Sequence, residues 1–327
     1  MHYVRRMTVI ALLTACAALA LGATSAYAQK WPVRPVRLVI PLTAGGGADT
    51  TARILAQKLS ENTGQSFIVE NRPGAGGNIA FDYVAKADAD GYTLLYSPVA
   101  IAINPTLFEK INYRIEDFVA ISYIGDAPLV LVANNALPAR DIGELIELAK
   151  ARPGEIRFSS SAIGSSSHLA SEVMRMMAGV EMLHVPYKGG PQALQDVISG
   201  QIEFATIAMP EALPQVRAGR VRALGQTGIK RSSIAPDIPT FDESGLTGYT
   251  VMTWYVAFAP AKTPAAIVQR LHEEFDKALK VQEVRNRLRD AGMTEVVNGP
   301  PEAAAKFVQS EYQRWGKIIR ALNLKAN

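Results

Sequence analysis

Apolar and polar positions alternate in short blocks along most of the chain. Val36, Leu38, Val39 and Ile40 form an apolar run that stops at Pro41 and predicts a buried strand. Three glycines, Gly45 to Gly47, intervene. Ala52, Leu55, Ala56 and Leu59 then fall at i, i+3, i+4 and i+7, the spacing of a helix that ends near 62–64. The alternation continues, with strands predicted over 66–70, 92–96, 119–125, 129–133, 156–159, 202–207, 221–227 and 254–259. Helices are predicted over 78–87, 192–199, 211–218, 265–279, 282–291 and 301–322. Another spans 141–151, capped by Asp141, with Ile142, Leu145, Ile146 and Ala149 on one face. A further helix, after residue 168, carries Leu169, Val173, Met176 and Met177. This is an α/β pattern, whose ligand loops sit at the carboxyl ends of strands.

Two of those strand ends share a design. At 39–53 a strand, a glycine turn and a helix start follow one another. The first N–H groups of a helix have no intrahelical partner and lie at the positive end of its dipole, so the arrangement suits an anion. An ordinary strand-to-helix turn reads the same way. The stretch 159–169 repeats the design with six serines in nine positions (Ser159–Ser161 and Ser165–Ser167) ahead of His168 and Leu169. One serine is explained as a cap; six supply hydroxyls that suit an anion. Two such loops about 120 residues apart suggest two lobes facing across a cleft. Ser97-Pro98 and Val185–Pro191 are further strand-end loops.

The first 28 residues read as an export signal rather than as part of the fold. Arg5 and Arg6 precede an uncharged apolar run, Val9 to Leu21, and Ala26-Tyr27-Ala28 is a small-x-small cleavage pattern. Leu13-Thr14-Ala15-Cys16 also fits a lipoprotein processing site, but lipid on Cys16 would leave the apolar Ala17 to Leu21 on the mature chain. Soluble export to the periplasm is the expectation. Cys16 is the single cysteine, so the mature chain has neither disulfides nor thiol chemistry. Loss of Arg5 and Arg6 takes the net charge from +4 to about +2, too balanced to argue for nucleic acid.

Catalytic constellations are missing. The mature chain has three histidines (His168, His184 and His272), and neither a Gly-x-Ser-x-Gly elbow, a His-Glu-x-x-His pair nor a Walker A motif occurs. Ser165 and His168 lie one helical turn apart, but nothing supplies an orienting third member. Gly74-Ala75-Gly76-Gly77 is not a dinucleotide fingerprint, because Ile79 occupies its sixth position. The expectation is a binding protein with no metal or cofactor. An exported hydrolase built on Ser165, His168 or Lys188 is the rival.

At this point the motifs carry a resemblance. Val39–Pro41 with Gly45–Asp49 and Ala52-Arg53, Val69–Gly77, Asp90–Leu95, Asn104-Pro105, Gly164–Leu169, Val185–Gly189, Ala218–Leu224 and Pro236–Thr240 occur in order through most of the chain. In these it resembles the Bug family, the extracytoplasmic solute receptors of tripartite tricarboxylate transport systems. The resemblance implies a two-lobed, periplasmic-binding-protein type II (Venus flytrap) fold, with residues 29–133 and 251–327 as one lobe and 134–250 as the other. It implies a monomeric receptor that holds a small mono- or dicarboxylate and delivers it to membrane permease subunits, or alternatively a carboxylate sensor. It transfers ligand contacts to Leu42, Thr43, Ala44, Gly45, Gly46, Ser161, Ala162, Gly164 and Ser165, and further out to Asp49, Ser97, Tyr187, Thr206 and Trp254. Two departures matter: Ala162 stands where the family pattern has glycine, and Thr206–Met209 is less polar than in some members, which suits a ligand with an apolar body.

Overall fold

Strand β1 (Val36–Ile40) is buried everywhere except Arg37. That explains its near-continuous apolar run, since a strand flanked by parallel neighbours is covered on both faces. The computed structural model describes residues 31–326, so the expected export signal at 1–28, with Cys16, lies outside the described residues. β1 passes through the glycine turn into α1 (Gly47–Thr63), which stops at Gly64 in the left-handed conformation. β2 (Phe67–Asn71), α2 (Asn78–Ala85) and β3 (Thr93–Ser97) follow, and β2 and β3 flank β1 in parallel. The sheet is completed by β4 (Phe118–Ala127) and by two late strands, β10 (Thr253–Pro260) and β11 (Glu295–Gly299). Its order is β11-β4-β10-β3-β1-β2, with β10 antiparallel to both β3 and β4.

The second sheet has the order β7-β6-β8-β5-β9, from β5 (Leu129–Ala133), β6 (Arg157–Ser160), β7 (Leu183–Pro186), β8 (Phe204–Ala208) and β9 (Arg222–Gln226). β6 runs parallel to β7 and β8, whereas β5 runs antiparallel to β8 and β9. Its helices are α4 (Ile142–Ala151), α5 (Ser166–Ala178), α6 (Gly190–Ile198) and α7 (Met209–Arg217). The chain closes with α8 (Ala265–Lys280), α9 (Gln282–Asp290) and α10 (Pro301–Ala321).

The expected elements are present, with four differences, one being the unexpected edge strand β11. Residues 129–133 were expected in the first lobe, but β5 lies in the second sheet: Val130 pairs with Ile207 on one side and Gln226 on the other. The chain therefore crosses between sheets at Pro128, and crosses back between Gln226 and Thr253. A helix, α3 (Ala100–Leu107), lies where the sequence reading assigned no element; Pro105 is tolerated near its C-terminal end. On α5, Leu169, Val173 and Met174 are buried, but Met176 and Met177 are exposed. Asp141 caps α4 as its sequence predicts, accepting from the Glu144 N–H at 2.8 Å.

Candidate functional site

The carboxyl ends of β1, β6, β7 and β8 converge on one cavity between the two sheets. Its lining comes from the loop after β1 (Leu42, Thr43, Gly46), the serine loop (Ser161, Ser165–Ser167), Gly189 and Gly190 at the start of α6, and Ile207 and Ala208. The start of α1, Pro98, Leu129, Thr253, Tyr255 and Glu211 complete it. The cavity measures about 40 Å³, room for roughly three waters at ~10–15 Å³ each. None of its lining residues is basic.

The two helix starts are not equivalent. At α1 the protein's own carboxylates take two of the donors, the Gly45 and Gly47 N–H groups. Asp49 Oδ2 accepts from the Gly45 N–H at 3.0 Å and from Arg53 Nε at 2.9 Å, and Oδ1 accepts from Asn71 Nδ2 and Arg53 Nη2. Burial pushes the Asp49 carboxyl up, but the Arg53, Gly45 and Asn71 hydrogen bonds outweigh it and hold it below its ordinary value. Asp49 thus shapes the loop from behind instead of facing the cavity. Glu211, in the first turn of α7, reaches across to α1, and its Oε1 accepts from the Gly47 N–H at 2.8 Å. Glu211 as a whole residue is half-buried, while its Oε2 is buried and makes no hydrogen bond. Burial pushes this carboxyl up to about 7, against a smaller downward pull from the Gly47 N–H. The close approach requires glycine on the facing helix: a Cβ at Gly190 would overlap the Glu211 carboxylate, and one at Gly189 would overlap Thr43 Oγ1. The buried Thr43 hydroxyl also lacks a hydrogen-bond partner.

At α5 the helix start is open. Ser165 is the N-cap: its Oγ accepts from the His168 N–H at 3.2 Å and donates to Ala162 O at 2.7 Å. Ser167 Oγ accepts from the Ser161 N–H and donates to Thr206 O. The N–H groups of Ser166 and Ser167, in the first turn, have no intrahelical partner, and both residues line the cavity.

Of the residues expected at the site, Leu42, Thr43, Gly46, Ser161 and Ser165 meet at the cavity. Ala44 is exposed beside it, and Gly45 gives its N–H to Asp49. Ala162 supports Ser165 through its carbonyl, and Gly164 donates to His168 Nδ1 at 3.3 Å. Ala162 and Tyr187 instead line a neighbouring groove, and the Tyr187 hydroxyl is bound to Asp196 Oδ2. Ser97 is buried and hydrogen-bonded to Pro98 O, and Thr206 Oγ1 contacts Ser171 Oγ at 3.1 Å behind the cavity wall. Trp254 is packed away from the cleft, with Nε1 donating to Glu311 Oε2 at 2.9 Å. Side chains alternate along a strand, so Thr253 and Tyr255, its neighbours on β10, line the cavity in its place. Sequence reasoning missed Glu211, Tyr255 and Gly190. The available signal for Glu211 was its position one turn into a helix that follows a strand end.

His168 and His184 form a buried, stacked pair. His168 Nδ1 accepts from the Gly164 amide, and the ring stacks on His184 at 4.0 Å between centroids. Burial first, then His184 and Arg175, lower His168 to about 3, and burial lowers His184 to about 4. Ser165 Oγ meets the His168 backbone and not its ring. Ser160 Oγ lies 2.7 Å from His184 Nε2, a contact whose donor is set by the imidazole tautomer, and 3.2 Å from Ala162 O. No cluster of His, Cys, Asp and Glu fit for a metal occurs among the described residues, and no described helix is long and apolar enough to cross a membrane.

Comparison with known proteins bears on this arrangement. The family model described as "Tripartite tricarboxylate transporter family receptor" matches residues 51–324. The protein BugT of Bordetella pertussis is 35% identical over 99% of both chains. The solved structure of Rpa4515 of R. palustris with adipate is 36% identical, with a TM-score of 0.87, covering 90% of this chain and 99% of that one. MatC from Rhodopseudomonas palustris, with bound malate, is 31% identical with a TM-score of 0.81, covering 88% of this chain and 100% of that one.

Proposed function

The chain belongs to the tripartite tricarboxylate transporter receptor family, and on that premise we propose that it is a periplasmic receptor that captures a small organic carboxylate for a membrane permease. The fold is the two-sheet α/β architecture of periplasmic binding proteins. The observation that carries the reading is the α5 helix start. The Ser166 and Ser167 amides and the unpartnered Thr43 hydroxyl converge there on a cavity between the sheets. A ligand carboxylate fits these donors. Each helix-end interaction contributes about 0.3–1 kcal/mol, rising to ~2 when partly buried. Hydrogen bonds to the charged group add about 1.5–3 kcal/mol each. The relatives with adipate and malate each hold a carboxylic acid in this fold.

The expected site thereby changes in one respect. Both helix starts were expected to hold the ligand; with the Gly45 and Gly47 N–H groups engaged by Asp49 and Glu211, α5 is proposed as the main anchor. The division into lobes follows the sheets: residues 35–127 with 253–326, and residues 129–226. The crossings at Pro128 and between Gln226 and Thr253 act as the hinge. Opening about that hinge admits a ligand larger than the present cavity. Ser165 Oγ is engaged by the His168 backbone N–H and not by an imidazole, which supports binding without turnover at that serine.

A thermal-shift screen of mono- and dicarboxylates tests the proposal, because a ligand of the native state raises its stability by mass action. The expected result is a concentration-dependent rise with at least one carboxylate, recovered unchanged after incubation. No rise with any carboxylate, or conversion of the ligand, would overturn it.

A further inference from the structure

Glu211 has a chemistry that carboxylate capture alone does not use. It is the one charged side chain that lines the cavity among the described residues, and its charge has the same sign as the ligand's. Oε1 is anchored on the Gly47 amide at 2.8 Å, which fixes the plane of the carboxyl group. Oε2 is left buried with no donor. A buried carboxylate oxygen without a partner carries its full desolvation cost. The surroundings offer it no relief: Gly46 and Gly190 pack against the carboxyl with no side chain at all. Tyr255 on β10 is the titratable group coupled to it, and that hydroxyl is held protonated by burial and by the Glu211 charge. Glu211 lines the same cavity as Ser166 and Ser167, so it stands beside a ligand held at the α5 start.

We propose that Glu211 is a specificity-determining residue, whose free Oε2 accepts a hydrogen bond from a hydroxyl or ammonium group on the bound carboxylate. The inference rests on the proposed carboxylate-receptor function and names the class of ligand within it. One end of the ligand is a carboxylate on the serine-loop amides. The other part carries a hydrogen-bond donor. A second carboxylate at that place meets the Glu211 charge with no cation between them, and an alkyl group leaves Oε2 unpaired. Both are discriminated against, because a site built to receive a hydrogen bond rejects a ligand that cannot supply one.

The test is titration calorimetry at pH 8 with carboxylates of three to six carbons. Each is used as the unsubstituted acid, the hydroxy acid, the amino acid and the diacid. The expected result is that a donor-bearing member binds at least about tenfold tighter than the unsubstituted acid and the diacid of equal length. A preference for the hydroxy acid or for the amino acid tells which donor is read. In Glu211→Gln the amide oxygen keeps the Gly47 contact and the amide nitrogen replaces Oε2, so acceptor becomes donor. The ranking is then expected to invert toward the diacid. A native protein that binds the diacid or the unsubstituted acid tightest, or a variant with an unaltered ranking, would overturn the proposal. The native ranking decides it even if the variant does not fold. Failure of every carboxylate in the series to bind would instead overturn the receptor function on which the proposal rests.

Discussion

Replacing Glu211 by glutamine separates the electrostatic cost of this residue from its contacts. The carboxyl titrates at about 7 in the folded chain, against 4.5 for an ordinary glutamate, with burial as the main cause. The folded state therefore holds the proton more tightly than the unfolded state does. By linkage, the contribution of Glu211 to stability is fully present below pH ~4.5 and is lost as pH rises through about 7. At 1.36 kcal/mol per pH unit the cost above pH 7 is roughly 3 kcal/mol. Glutamine is isosteric, keeps an oxygen for the Gly47 N–H and carries no charge. Ligand-free Glu211→Gln is thus expected to match the native protein near pH 4.5. At pH 8 it should be more stable by up to about 3 kcal/mol, a rise in melting temperature on the order of 5–10 °C. Tyr255, the coupled titratable neighbour, stays protonated over this window. Melting curves from pH 4.5 to 8.5 read the difference directly. A gap that does not grow with pH, or a variant less stable than the native protein at pH 8, would refute the assignment of a buried, charge-strained carboxyl.

Three further outcomes follow from the geometry. Ser165→Ala removes the α5 N-cap, which accepts from the His168 N–H; we expect a loss of about 0.5–2 kcal/mol in stability with weaker carboxylate binding, seen by thermal melts and calorimetry. His168 is held neutral, so its imidazole should not titrate in NMR spectra above about pH 4, and the pair His168–His184 should lower stability as pH falls below 6.5, where the unfolded chain takes up the protons. Trp254→Phe leaves Glu311 with Trp315 Nε1 but without the Trp254 bond. It should reduce stability by about 1–3 kcal/mol and leave ligand affinity unchanged, whereas a large affinity loss would return Trp254 to the site.

Much of this arrangement was legible in the sequence because periodicity reports burial. The β1 run, the Asp141 cap and the helix start after the serine loop all follow from local rules. What the sequence hid was non-local. The strand 129–133 reads as apolar in either sheet, and only its pairing with Ile207 and Gln226 assigns it. Trp254 is a plausible ligand contact by type, but the strand's alternation aims it at α10 and leaves Tyr255 facing the cavity. Glu211 lies 164 residues from the Gly47 amide it holds, beyond any local signal. Asp49 was expected as an outlying ligand contact. Its hydrogen bonds to Gly45, Asn71 and Arg53 place it behind the loop, where it shapes the turn.

The most direct test of the account is a crystal structure of the protein with the tightest-binding carboxylate from the screen. The account predicts a ligand carboxylate within hydrogen-bond distance of the Ser166 and Ser167 amides and of Thr43 Oγ1, with Glu211 still on the Gly47 N–H. A ligand carboxylate seated on the Gly47 N–H with Glu211 swung out, or bound outside the cleft between the sheets, would contradict it.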